Sequence, residues 1–467
     1  MFENIIAQPC TVQLRSDLLS RSLAPSMLFF GPPASGKGSA AIELARSLSC
    51  EEGAAEWNCS CPSCVRHRSL LHGDLAMIGP RGFASEIAAS RAAFLRDVTS
   101  AAVRSLFVRS LRKLLARFAP SVWEYEPRSN RSNPLPLLQS LEEELGEFES
   151  QTADLPALEK LTGNLAKNAF KLEDEWISDA IPIAQIRKAA WWSRISPSGK
   201  RKTLIIENAD RMKDDARNSL LKLLEEPPES ISIVLTAQRR ESVLPTILSR
   251  LRPYRFVTRA ADQEREIIRR IFKDPRAAEK EAAGGAKNAV HRSAACGLVE
   301  AYLNSFMPQP MEKLLPLAAF FIAAVARSAA MFAKSRGAVY ISPALNALGS
   351  YCAPIAEAAG FERVSETKET IAALLSRSGN FEGRSFPRFL TLSLDLVSWS
   401  LEQCAAGAGR ESSAVHADMA GGSGVIVCRE IWKRRLGEAQ SAYGIWNQRP
   451  ELALEALFVR LREDMAG

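Results

Sequence analysis

A short apolar run, Met27-Leu-Phe-Phe30, leads straight into Gly31-Pro-Pro-Ala-Ser-Gly36-Lys37-Gly38. Behind it Ile42, Leu44 and Leu48 recur at helical spacing. Buried strand, glycine-rich loop, then helix is the phosphate-binding order. Two further strand-like runs, Thr203-Leu-Ile-Ile206 and Ser232-Ile-Val-Leu-Thr236, flank a helical stretch, Asp214 to Glu226, that Pro227-Pro228 stops. Strands separated by helices imply a parallel sheet with helices on both faces.

The loop fits the pattern G-x-x-x-x-G-K-[ST] at every fixed position but the last. Gly31 and Gly36 let backbone N–H groups face phosphate oxygens at a helix N-terminus, and Lys37 reaches the β and γ oxygens. Gly38 stands where the Mg²⁺-ligating hydroxyl belongs. Ser39 comes one position late and points about 100° away around the helix. The partner strand ends in Glu207-Asn208. Glu207 keeps a carboxylate for Mg²⁺, but Asn208 occupies the water-activating position and cannot take a proton. Thr236, closing the next strand, completes the candidate nucleotide set. Two losses on opposite sides of one ATP/Mg²⁺ site predict weak or absent hydrolysis. A combined Gly38→Thr and Asn208→Glu change is the expected route to restoring binding or slow turnover.

Four of the nine cysteines cluster as Cys50-x8-Cys59-x-Cys61-x2-Cys64. Four thiolates suit a structural zinc site and leave no open position for substrate. His67 is an alternative fourth ligand, and free reduced thiols are the other reading. The start, Met-Phe-Glu-Asn, shows no basic stretch before an apolar one, so a reducing cytoplasm is the expected setting.

The 467 residues are enough for two or three domains, and 46% hydrophobic content excludes a disordered or collagen-like chain. The best membrane candidate, Leu314 to Ala326, is shorter than the roughly 20 apolar residues a span needs and reads as a buried helix. A net charge of +7 suits work near nucleic acid but is a weak sign alone. Residues 81–180 read as a helical hairpin: a basic arm from Glu86 to Phe118, and an acidic one from Leu137 to about Glu175. Its charged faces read as solvated, with some pairing between the arms. From about residue 259 the pattern is helical, with a break at Ala405–Gly424. No internal repeat is present, and G-x-S-x-G is absent with only four histidines, so a serine hydrolase is not supported.

Asn218-Ser-Leu-Leu-Lys222-Leu-Leu-Glu225-Glu226-Pro-Pro228 and Leu244-Pro-Thr-Ile-Leu-Ser249-Arg250 resemble two signatures of bacterial DNA polymerase III clamp-loader subunits of the AAA+ class. His72-Gly-Asp74 is similar to the H-P-D that follows the zinc knot in that family. Ile183, Ile186 and Arg187, and the turn Ser196-Pro-Ser-Gly199-Lys200, also fall where the family has counterparts. The resemblance is close over 1–80 and 181–258. Leu251 departs from it by replacing a cysteine, as does the long insertion. Gly284-Gly-Ala-Lys287-Asn-Ala faintly resembles a third-domain motif, with Lys287 at the family's nucleotide-sensing arginine.

The resemblance implies an AAA+ α/β domain over 1–258 with a zinc knot at 50–64, a helical lid at 259–300 and a helical collar at 301–467. It also implies a hetero-oligomeric ring with gamma/tau and delta subunits, acting on a sliding clamp and primed DNA near the nucleoid, with no membrane partner. The degraded nucleotide motifs beside an intact Ser249-Arg250 are most like delta-prime, with an active gamma/tau-like ATPase as the alternative. A freestanding zinc-dependent nucleic-acid binder would leave the two signature segments unexplained. Arg250 is implied to reach the γ-phosphate of ATP held by a neighbouring subunit. The competing reading for Arg250 is an ion pair within the chain, to Glu225 or Glu226.

Overall fold

The computed structural model describes residues 1–53, 55–123, 133–150, 154–275, 298–306, 311–338, 342–379, 381, 385–411, 422–444 and 448–466. These divide into two compact units, one formed by the residues up to 275 with 298–306, the other by those from 311 onward.

The first unit is built on a five-stranded, all-parallel sheet in the order β2-β3-β4-β1-β5. Its strands are β1 (Ser26–Phe30), β2 (Leu75–Ile78), β3 (Lys202–Ile206), β4 (Ile231–Ala237) and β5 (Arg252–Arg255). The register sets Leu28 beside Leu235 and Leu204 beside Ile233. The three inner strands are covered on both faces, which is why they read as unbroken apolar runs. β5 was not legible that way. It is an edge strand, Arg-Pro-Tyr-Arg, that buries only Tyr254, and Pro253 is tolerated because an edge needs fewer donors.

Helices α1 (Cys10–Leu19), α2 (Lys37–Ser49), α3 (Pro62–Arg68), α8 (Ile183–Ser193), α9 (Asp214–Glu225) and the one-turn α10 (Pro245–Leu248) surround the sheet. Asp214 and Asp215 favour the start of α9, which buries Ala216, Leu220, Leu223 and Leu224.

The insertion is not two continuous arms. It forms four helices: α4 (Ala84–Arg96), α5 (Ala101–Leu115), α6 (Leu135–Ser150) and α7 (Leu155–Trp176). The first arm breaks at Asp97-Val-Thr-Ser, where the Thr99 hydroxyl bonds the Asp97 carboxylate at 2.8 Å. Some charges do pair between the arms, as Arg112 with Glu149 at 2.6 Å, whereas Lys113 meets Glu86 on its own arm. The helices also bury a core of their own, with Phe94, Phe107, Phe148 and Leu172 at 0% exposure.

That core extends to helices that follow β5. Ile267 and Ile268 of α11 (Ala261–Ile271), with Phe272, Val299 and Tyr302, pack in the same cluster as the insertion. The boundary expected at residue 300 falls inside the helix Leu298–Ser305, which belongs to the first unit. The motif around Lys287 lies outside the described residues.

Among the described residues the second unit holds six helices: Met311–Ser335, Pro343–Ala358, Thr367–Ser378, Ser385–Glu411, Gly422–Gly444 and Pro450–Ala466. Leu314 to Ala326 lies at its centre, with Phe321 against Phe389, Trp432 and Phe458. Its helix runs on past Arg327 to Ser335, long and apolar enough to cross a membrane by composition, yet 78% of the most apolar window is buried in the unit. Within the stretch Ala405–Gly424, expected to be a break, one helix continues to Glu411 and another begins at Gly422.

Candidate functional site

The phosphate loop joins the end of β1 to α2. Gly31 N–H donates to Ala237 O at 3.2 Å, tying the loop to β4. Gly36 caps α2 with φ of 93°, a left-handed conformation that suits glycine. Lys37 is 8% exposed, and its ammonium donates to Gly31 O at 2.7 Å, Pro32 O at 2.5 Å and Ser35 Oγ at 3.2 Å. Burial pulls its pKa down to about 8, against the opposing pull of Asp210. Arg259, which sequence reasoning did not single out, donates to Ala34 O at 2.9 Å and Ser35 O at 2.7 Å. Lys37 and Arg259 are therefore both bonded to the loop's own carbonyls.

Glu207 closes in on the helix from the end of β3. A Cβ placed on Gly38 would meet Glu207 Oε1 at 2.6 Å, so the carboxylate fills the space of a side chain at that position. Ser39 is half-buried beside it. The other carboxylate oxygen, Oε2, accepts from Arg117 Nη2. Arg117 is 1% exposed; burial lowers its pKa and Glu207 pulls it back up. Asn208 sits at φ 50°, ψ 55°, a left-handed conformation that Asn accepts and Glu does not readily adopt. Its backbone N–H donates to Thr236 Oγ1 at 3.0 Å, so that hydroxyl holds the strand end. The expected Gly38→Thr and Asn208→Glu repair thus asks the Glu207 carboxylate to swing aside for the first side chain and strains the backbone at the second.

The four cysteine sulphurs all lie within 4.8 Å of one another, and Cys50 and Cys59 are 3.7 Å apart. A tetrahedron with Zn–S of about 2.3 Å has edges of about 3.8 Å, so these side chains could hold a metal ion. Pro62 starts α3, and Cys61 Sγ accepts the Cys64 N–H at 3.4 Å, which is what the Cys61-Pro-Ser-Cys64 spacing provides. Burial raises both thiols. For Cys61 the Cys64 N–H and the neighbouring groups outweigh it, bringing the thiol to about 6, while Cys64 stays raised. Arg46, 1% exposed, donates to Cys64 Sγ at 3.0 Å, to Ala55 O at 2.7 Å and to both carboxylate oxygens of Glu43. Burial works against its charge, and the bonds to Glu43 and Cys64 overcome that and raise its pKa. His67 stands apart from the sulphur cluster. It is buried and stacked on His72 at 4.1 Å, and burial with the neighbouring His72 pushes its ring down to about 3.

Two distant motifs meet at the knot. Asp74 accepts from Ser198 N–H at 2.9 Å, Ser198 Oγ at 3.0 Å and Gly199 N–H at 2.7 Å. Lys200 then donates to Cys50 O at 2.6 Å and Glu51 O at 3.0 Å. The turn before β3 therefore clamps the cysteine loop to the sheet.

Arg250 follows α10 and pairs with Glu225 at the end of α9, at 2.8 Å. Both partners are substantially exposed, at 34% and 50%.

Comparison with known proteins places these features. Residues 7–120 and 149–260 match the family described as DNA polymerase III, delta subunit. The matched segments take in residues 81–120 and 149–180, so most of the stretch expected to depart from the family lies within the match and only 121–148 falls outside it. The delta' subunit of DNA polymerase III from Pseudomonas aeruginosa is 33% identical over 95 residues, which is 20% of this chain and 29% of that protein. The match thus spans less than a third of that relative's length. A DNA polymerase III gamma subunit-related protein of Thermotoga maritima is 19% identical, covering 66% of this chain and 90% of that one. Its TM-score is 0.25, too low for that likeness to bear on the fold. From the family match, the delta' relative and the parallel sheet behind a phosphate loop, the chain is a DNA polymerase III clamp-loader-type subunit of the AAA+ class.

Proposed function

We propose that this chain is a hydrolysis-deficient, delta-prime-like subunit that supports assembly of the clamp-loader ring and presents Arg250 to ATP bound by a neighbour. The ring would contain gamma/tau and delta subunits and place the sliding clamp on primed DNA. One observation carries the reading. Position 38 has no hydroxyl for Mg²⁺, and position 208 offers an amide in place of the carboxylate that activates water. A phosphoryl-transfer site lacking both cannot position metal and nucleophile together.

Arg250 is suited to acting in trans despite its bond to Glu225. An exposed ion pair of this kind contributes only about 0–1 kcal/mol, so exchanging Glu225 for a phosphate costs little. A planar guanidinium can then offset charge developing on the transferring group, an effect worth about 10³–10⁵ in rate for other arginine fingers. The four cysteines would hold structural zinc, and the C-terminal helices would make the assembly contacts.

Steady-state ATP hydrolysis by the purified chain, alone and mixed with motor subunits, tests the reading. Alone, it should match a Lys37→Ala control, and in the mixture it should stimulate turnover. Lys37-dependent turnover by the chain alone would sink the proposal in favour of an active motor subunit.

A further inference from the structure

The insertion delivers a cation to the phosphate loop. Arg117 lies in the 3-10 turn Ala116–Phe118 that ends the basic arm, far in sequence from the strand it serves. Its Nη2 donates to Glu207 Oε2, and the ring of Phe83 covers the guanidinium at 5.2 Å. Among the described residues, Nε and Nη1 have no hydrogen-bond partner. A buried arginine kept for structure alone normally has its donors satisfied; this one is held chiefly by one carboxylate.

The other oxygen of that carboxylate occupies the space a side chain at position 38 would need. In the full phosphate-loop pattern, the hydroxyl at that position and the carboxylate at the strand end hold Mg²⁺ between them. Here a single carboxylate covers both places, and a guanidinium supplies the positive charge. Lys37 and Arg259 are meanwhile bonded to loop carbonyls. Each of these three cations around the loop is the chain's own.

We propose that Arg117 takes the place of the divalent cation at this loop, so that any nucleoside di- or triphosphate bound there is bound without magnesium. The inference rests on the hydrolysis-deficient reading and explains how the site tolerates the loss of its metal ligands. It also gives the insertion a role at the loop, since its first arm ends in the group that neutralises Glu207.

The test uses the full chain and ATP as probe, in magnesium-free buffer with no chelator, which would attack the cysteine site. Thermal unfolding is followed with and without ATP, then with Mg²⁺ added. In the unmodified chain the ATP-induced change in midpoint should be the same with and without Mg²⁺. Arg117→Met frees Glu207 and should make that change depend on Mg²⁺, whereas Arg117→Lys should keep it independent. A Mg²⁺-dependent shift in the unmodified chain, or none in Arg117→Met, overturns the proposal. If Arg117→Met gives no cooperative transition, Glu207→Gln decides. Leaving the guanidinium uncompensated should lower the midpoint by about 10 °C, and an unchanged midpoint overturns the proposal. Mg²⁺-dependent binding without turnover would remove the role of Arg117 and leave the hydrolysis-deficient reading standing. Turnover by the chain alone would remove that reading itself.

Discussion

Arg46→Met removes the guanidinium that joins α2 to the cysteine knot. Arg46 is 1% exposed and Glu43 3%, so both charges have left water. Arg46 Nε bonds Glu43 Oε2 at 2.9 Å and Nη2 bonds Oε1 at 2.7 Å, a two-pronged contact. Without it, among the described residues Glu43 keeps the Phe2 N–H at 3.2 Å. Removing one partner of such a pair costs about 3–5 kcal/mol, because the remaining charge stays buried and uncompensated. The Ala55 carbonyl and Cys64 sulphur also lose their donor, and an orphaned buried acceptor costs about 1–3 kcal/mol. The double change Arg46→Met with Glu43→Leu removes the stranded charge and should recover most of the first loss but not the second. Urea titration at fixed zinc, followed by tryptophan fluorescence and far-UV circular dichroism, measures both variants. The two units need not unfold together, so the comparison is made on the transition of the first unit. If the double variant is as unstable as the single one, the stranded carboxylate is not the cause and the reasoning fails.

Lys37 has a folded pKa of about 8, below its unfolded value, so its contribution to stability is present above about pH 10.5 and lost as pH falls through 8. The stability of the unmodified chain relative to Lys37→Met should therefore rise between pH 7.5 and 9.5; a flat difference would show that the ammonium is not desolvated. Metal analysis after purification without chelators should find about one zinc per chain, and Cys64→Ser should release it and lower the unfolding midpoint. Zinc content near zero in the unmodified chain would remove the metal from the account. Arg250→Ala should leave the chain's own stability within about 1 kcal/mol, since its partner is exposed, while reducing clamp- and DNA-stimulated ATPase of the reconstituted ring. A large loss of stability with ATPase spared would identify Arg250 as a fold-holding ion pair only.

What the sequence disclosed was local chemistry. The phosphate loop, the inner strands and the Cys61-Pro-Ser-Cys64 knuckle each depend on residues within a few positions of one another, and periodicity or spacing exposes them. The unread parts depend on distant contacts. Nothing near Arg117 marks it as the partner of Glu207, ninety positions away, and six other basic residues in the same arm look identical in sequence. Arg46 and Arg259 were hidden for the same reason: an arginine in a helix or loop normally reads as solvated until its burial is known. His72-Gly-Asp74 and Ser196-Pro-Ser-Gly199-Lys200 were noticed as separate motifs, yet only the fold brings Asp74 onto Ser198 and Gly199. The strand β5 escaped because an edge strand with alternating arginines carries no apolar run.

The core shared by the insertion and the helices that follow β5 constrains a degree of freedom. In a lid joined to its sheet by chain alone, α11 and its partner helix could pivot as a flap. Here Ile267, Phe272 and Tyr302 are packed among insertion side chains, and Arg96 reaches across to Phe272 O and Tyr302 Oη at 2.9 Å each. The insertion is in turn anchored to the sheet and its helices: Arg117 holds Glu207 at the end of β3, and Arg109 donates to Arg68 O at 2.5 Å at the end of α3. Swinging the flap would mean either parting that core or carrying the insertion along and breaking its anchors, so either motion carries a cost. In the ring proposed above, one such stiff member would leave opening and closing to the joints of the others.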